Sequence, residues 1–145
     1  MAEGNPQVRV VIAVDGSPQA ECAFEWYLTN LHRPGNTVYL VHALEAPSMP
    51  TRDTWDQQIK EGQGKCEELR IRYTKRFKEL QIAGHFIYDM QKPGELVCTT
   101  AKEEDATYIV MGTRGLGKLR RTILGSVSDY VVHHAHCPVT VCRFE

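Results

Sequence analysis

Residues 107–143 read TYIVMGTRGLGKLRRTILGSVSDYVVHHAHCPVTVCR, and three elements follow from that stretch. The β-branched run at 107–111 predicts a strand. It passes straight into residues 111–126, which hold four glycines, four cationic side chains and no acid, a composition that suits an anionic ligand. Residues 125–135 predict a short helix with Val127, Tyr130 and Val131 inward. Residues 138–143, PVTVCR, predict a closing strand. Strand, glycine-rich turn, helix and strand in that order form a parallel β-α-β unit.

The same alternation extends to the N-terminus. Residues 8–14, VRVVIAV, predict a buried strand, and Asp15-Gly16-Ser17-Pro18 follows with Ser17 as a helix cap and Pro18 in the first turn. Ala20, Ala23, Phe24, Tyr27, Leu28 and Leu31 recur at steps that make one apolar helix face, which Pro34-Gly35-Asn36 ends. Residues 37–44 predict the second strand, and Pro47 and Pro50 mark a loop. Trp55, Ile59, Gly62, Cys66, Leu69, Tyr73, Phe77 and Leu80 then form a long helical stripe, read as core packing, with Gly84 as its expected end. Residues 85–90 predict a third strand, and Pro93-Gly94 opens a helix with Leu96, Val97, Thr100 and Ala101 inward. The expectation is a single α/β domain over 1–145: an open five-stranded parallel sheet of order 3-2-1-4-5 with helices on both faces.

In such sheets ligands bind beyond the C-terminal strand ends, where the winding reverses. Residues 15–17 and the stretch from Gly112 occupy those loops. Gly112-x4-Gly117-Lys118 stops one residue short of a Walker A loop, because Leu119 stands where a magnesium-binding Ser or Thr is needed. Gly115-x-Gly117 lacks the third glycine of a dinucleotide fingerprint, since Arg120 holds that place. The pattern that fits is Gly112-x2-Gly115-x9-Gly125-Ser126. Gly112 turns the chain off the strand, Gly115 lets backbone N–H groups approach an anion, and Gly125-Ser126 opens a helix whose free N–H groups favour phosphate. Ser126 and Ser128 add hydroxyls.

With that spacing, residues 112–115 (GTRG) followed by 123–141 (ILGSVSDYVVHHAHCPVTV) resemble the signature of the universal stress protein family, and residues 10–26 (VVIAVDGSPQAECAFEW) are similar to its first strand and helix. The resemblance covers essentially the whole chain and implies an adenine nucleotide alpha hydrolase-like fold of the ATP-binding branch. By that resemblance Asp15 and Val41 face adenine and ribose, and Ala13 lines the floor. Gly112, Arg114, Gly115, Gly125, Ser126, Val127 and Ser128 meet ribose and phosphates. The implied cofactor is ATP, with Mg2+ held mainly by the phosphates, and the implied assembly is a homodimer through 138–143. Departures from the family lie mainly in residues 45–65, which match no recognised motif.

Composition excludes other classes. A net charge of −1 argues against a nucleic-acid partner. No apolar run suits a membrane span, and residues 1–7 lack the pattern of a secretory signal, so the expected location is the cytoplasm. The five cysteines form no C-x-x-C and read as reduced, mostly buried thiols. His133, His134 and His136 read as helix-end cations rather than metal ligands. Two rivals to a nucleotide-dependent regulator are a weak ATP hydrolase and an interaction module without nucleotide. Only Asp15 supplies an acid in the candidate loops, so slow hydrolysis at most is expected.

Overall fold

The computed structural model of the chain describes residues 7–44, 46, 51–113 and 125–143. Strands β1 (Arg9–Ala13), β2 (Thr37–Ala43), β3 (Ala83–Asp89), β4 (Tyr108–Gly112) and β5 (Val139–Cys142) alternate with helices α1 (Pro18–Asn30), α2 (Arg52–Leu80), α3 (Pro93–Glu103) and α4 (Ser126–His134). All strand pairs are parallel, and the order is β3-β2-β1-β4-β5, as the sequence predicts.

Alternation along each strand sorts the core into two layers. Val10, Ile12, Leu40 and Val110 pack under Phe24 and Tyr27 of α1 and Tyr73 and Phe77 of α2. Val11, Val41, Ile109 and Met111 pack on the other face against Leu96, Val97 and Ala101 of α3 and Val131 of α4. In the first layer the Phe24 ring meets Tyr73 and Phe77 edge-on, with centroids 5.7 and 6.2 Å apart. Ser17 caps α1 as expected, its Oγ accepting the Ala20 N–H at 3.2 Å. All four residues assigned inward on α3 are buried.

Three expectations are corrected. Gly84 does not end α2; Gln81 does, in the left-handed region at φ 58°. Gly84 lies inside β3 beneath the Phe77 ring, where a Cβ would come within 2.6 Å of ring carbons. The glycine serves that contact. Second, the α2 stripe is core only in part: Cys66, Tyr73 and Phe77 are buried, while Trp55 near its start and Leu80 at its end are 38% and 44% exposed. Third, only Cys66 and Cys142 are fully buried; Cys98 and Cys137 are half-buried and Cys22 is exposed. Burial pushes the thiols of Cys66, Cys98, Cys137 and Cys142 up, which keeps them protonated at neutral pH.

Tyr27 ties α1 to the turn before β2. Its hydroxyl accepts from the buried Asn36 amide at 3.0 Å and lies 2.8 Å from His32 Nδ1. Burial pushes the phenol up to about 12, against 10.0 unperturbed, and burial with Glu21 also raises Tyr73. Above pH 10 the unfolded chain releases these protons first, so the folded state binds more protons and stability falls as pH rises. Below pH 10 the contribution is complete. The expected slope from Tyr27 is about 1.4 kcal/mol per pH unit between roughly pH 10 and 12. Urea denaturation at several alkaline pH values checks this, and Tyr27→Phe should remove that share of the slope.

Candidate functional site

β1 has β2 on one side and β4 on the other, so the winding reverses beside it. The chain leaves β1 towards α1 on one face and, after β4, returns as α4 on the opposite face. The ends of β1 and β4 therefore mark the switch point at which open α/β sheets hold ligands.

On the β1 side the loop is held by its own side chains. Asp15 Oδ1 accepts the Ser17 N–H at 2.9 Å, and Gly16 sits at φ +82°, a conformation that favours glycine. Asp15 is exposed at the strand end. Ala13 pairs in register with Val41, and the Val14 N–H donates to the Val41 carbonyl at 2.9 Å. The Val41 side chain is buried against the α3 and α4 layer, and its carbonyl is held by Val14 at the end of β1. His42 escaped the sequence reading. Its Nδ1 lies 2.9 Å from the Val14 carbonyl, and its ring stacks on Phe86. This contact ties the start of the candidate loop to β2. Its signal was faint: one polar residue near the end of an apolar strand.

On the β4 side, Gly112 ends the strand, but its role differs from the expected turn. A Cβ there would stand 2.7 Å from the Gln19 carbonyl oxygen and 3.6 Å from Ala23 Cβ. Among the described residues the glycines at positive φ are Gly16 and Gly35. Gly112 is thus a point of close approach between β4 and the first turns of α1.

At the start of α4 the situation is reversed. Gly125 caps the helix at φ −64° and ψ 161°, values open to any residue, and makes no side-chain capping bond. No described atom lies within 4 Å of a Cβ placed on it. The Asp129 N–H is the first to bond back, to the Gly125 carbonyl at 2.8 Å. The N–H groups of Ser126, Val127 and Ser128 precede it in the helix and carry the positive end of its dipole. Ser126 is exposed, Val127 half-buried and Ser128 buried. Arg114 and Gly115 lie outside the described residues, as do Lys118, Arg120 and Arg121.

His133 and His134 each contact the residue one turn back along α4. His133 Nε2 is 3.3 Å from Asp129 Oδ1; His134 Nδ1 bonds the Tyr130 carbonyl at 2.8 Å and its ring stacks on Tyr130.

The universal stress protein family model matches residues 8–143. The chain belongs to that family. A putative universal stress protein of Staphylococcus epidermidis is 31% identical over 142 residues, covering 94% of this chain and 84% of that protein. The universal stress protein PHOS34 of Arabidopsis thaliana is 29% identical over 94% of this chain, which spans 62% of that longer protein. Among solved structures, a family member from Arabidopsis thaliana with AMP bound matches with TM-score 0.73 at 22% identity, covering 95% of this chain and 92% of that one. A universal stress protein in complex with cAMP matches with TM-score 0.69 at 19% identity, covering 93% and 96%. At these identities the solved structures establish the family fold. Among the described residues no helix is long and apolar enough to cross a membrane.

Proposed function

We propose that this universal stress protein binds ATP in the crevice between the ends of β1 and β4 and acts as a nucleotide-dependent regulator in the stress response. The observation that carries the reading is the start of α4. Gly125 is required neither by its backbone angles nor by packing against any described atom. A glycine that no described residue requires, next to the leading N–H groups of a helix, suits a phosphate that needs close backbone approach. Relatives of the same fold hold AMP and cAMP. On this reading Ala13, Asp15 and Val41 meet the nucleoside, and Gly112, Arg114, Gly115, Gly125, Ser126, Val127 and Ser128 meet ribose and phosphates. Mg2+ is held mainly by the phosphates themselves. The assembly is a homodimer through β5.

Calorimetric titration with ATP, ADP and AMP, with and without magnesium, tests the reading; a protein that binds none of them is not a nucleotide-dependent regulator. The same titration separates this cradle from a Walker loop. Ser126→Ala should cost about 1–3 kcal/mol of ATP binding, as for a hydrogen bond to a charged group. Lys118→Ala should cost about 1 kcal/mol or less, the range of exposed ion pairs. A lysine loss far worse than the serine loss restores the Walker reading.

Hydrolysis should be slow. Asp15 is engaged with the Ser17 N–H, which makes it a poor base for water. Phosphate release should run well below the roughly 10 per second of a median enzyme. A magnesium-dependent rate of that size, abolished by Asp15→Asn, would make the protein an ATPase with Asp15 at its centre.

A further inference from the structure

The loop that carries Asp15 is tied down at both ends, and one of the ties is a side chain of β2. Val14, buried, is the first residue past β1. Its N–H donates to the Val41 carbonyl at 2.9 Å, which carries the pairing with β2 one step beyond the strand. Its carbonyl meets His42, whose Nδ1 stands 2.9 Å away. A carbonyl only accepts, so Nδ1 carries the hydrogen and donates it. Further along, the loop holds itself: Asp15 Oδ1 accepts the Ser17 N–H, and Ser17 Oγ caps α1.

The imidazole is held in turn by the core. Leu40 and His42 share the face of β2 that looks towards α1 and α2. The His42 ring stacks on Phe86 of β3, with centroids 6.3 Å apart at 28°, and Phe86 stacks on Tyr73 of α2 at 5.9 Å and 14°. The Tyr73 hydroxyl donates to Glu21 in the first turn of α1 at 2.6 Å. Tyr73 also lines one cavity with Gly16, Ser17 and Pro18. The path from Val14 through His42, Phe86 and Tyr73 therefore closes on α1, the helix that the loop enters. The stack holds the ring plane, and the bond to Val14 selects which edge of the ring faces the loop.

The peptide between Val14 and Asp15 is trans, so the Asp15 N–H points opposite to the Val14 carbonyl. A group that orients this carbonyl orients the main chain of Asp15 as well. We infer that His42 is a positioning residue of the nucleotide site: its Nδ1–H fixes the peptide plane that leads into Asp15, and through it the affinity for the nucleoside end of the ligand. The inference rests on the nucleotide reading above, in which Asp15 meets the nucleoside and the phosphates lie at the start of α4. A binding group is held in its productive geometry by the hydrogen bonds and packing behind it.

His42→Asn and His42→Leu test it, because the two new side chains have nearly the same shape and both lack the ring. Only the amide can donate from near the place of Nδ1. Each variant is titrated with ATP and with inorganic tripolyphosphate, and thermal melting reports the fold. His42→Leu should weaken ATP about tenfold, the scale of one hydrogen bond, and leave tripolyphosphate unchanged. His42→Asn should keep most of the wild-type affinity for ATP, even with a lower melting temperature from the lost stack. If His42→Leu does not fold, His42→Phe, which keeps a ring on Phe86 and has no donor, takes its place with the same expected loss. Equal ATP affinity in the variants with and without the donor overturns the inference and leaves the nucleotide reading standing. So does an equal loss of ATP and tripolyphosphate, which means a general loosening of the site. A wild type that binds no ATP removes the nucleotide reading and this inference together.

Discussion

Gly125→Val abolishes ATP binding and leaves the fold intact, whereas Gly112→Val destabilises the fold itself: this contrast is the expected result of placing one side chain on either glycine. At Gly112 the obstacle is main chain. The new Cβ would lie 2.7 Å from the Gln19 carbonyl oxygen and 3.2 Å from its carbon, and neither yields as a flexible side chain does. α1 must move off β4, which disturbs the packing of Ala23 and Phe24, both fully buried. Overpacking of a core typically costs about 1–3 kcal/mol and sometimes more, and a backbone obstacle places Gly112→Val at or above the top of that range. At Gly125 the backbone angles suit valine and no described atom is near. The stability cost there is that of a poorer N-cap, about 1 kcal/mol. The side chain would occupy the space that phosphate needs beside the N–H groups of Ser126 to Ser128. Thermal melting by circular dichroism and titration with ATP measure the two effects separately. Retained affinity in folded Gly125→Val would remove the α4 start from the site.

The second large effect concerns assembly. β5 lies at the sheet edge, beyond β4. The Ile109 N–H goes to the Pro138 carbonyl and the Thr113 N–H to the Cys142 carbonyl, so alternate residues of β5 serve β4. Between them Val139 and Val141 turn their backbone groups away from β4, to the side where no described strand pairs with β5. Pro138 suits the start of such an edge, and the strand carries no charge to blunt it. Pairing with the same strand of a second copy across a two-fold axis would cover it. Light scattering on the wild type at micromolar concentration should therefore give twice the 16.5 kDa of one chain. Val141→Lys should halve that mass or precipitate the protein. Because Val141 is also half-buried against the α3 and α4 layer, Val141→Pro is the cleaner variant. It removes an outward N–H and leaves the bonds to β4 in place. A wild type that scatters as one chain would mean that the edge is covered in another way.

The alternation of apolar runs and helical stripes was enough for the sequence to determine five strands alternating with helices, and the resemblance of residues 10–26, 112–115 and 123–141 pointed to the family; the expected order 3-2-1-4-5 is the one the structure has. Those signals are local: side-chain periodicity depends on residues a few positions apart, and capping by Ser17 on the next turn. What the glycines are for was decided only in three dimensions. Gly84 looks like a helix terminator and serves the Phe77 ring; Gly112 looks like a turn and serves Gln19, far away in the chain; at Gly125 no described atom lies near the Cβ position. The α2 stripe shows the same limit. Its period fixes which face is apolar, but the length of sheet beneath it depends on where β2 and β3 end and on Leu44 and Tyr88 meeting Gly62 and Glu67. Close approach and overhang are relations between distant segments, so the tertiary structure decided them and the local pattern did not.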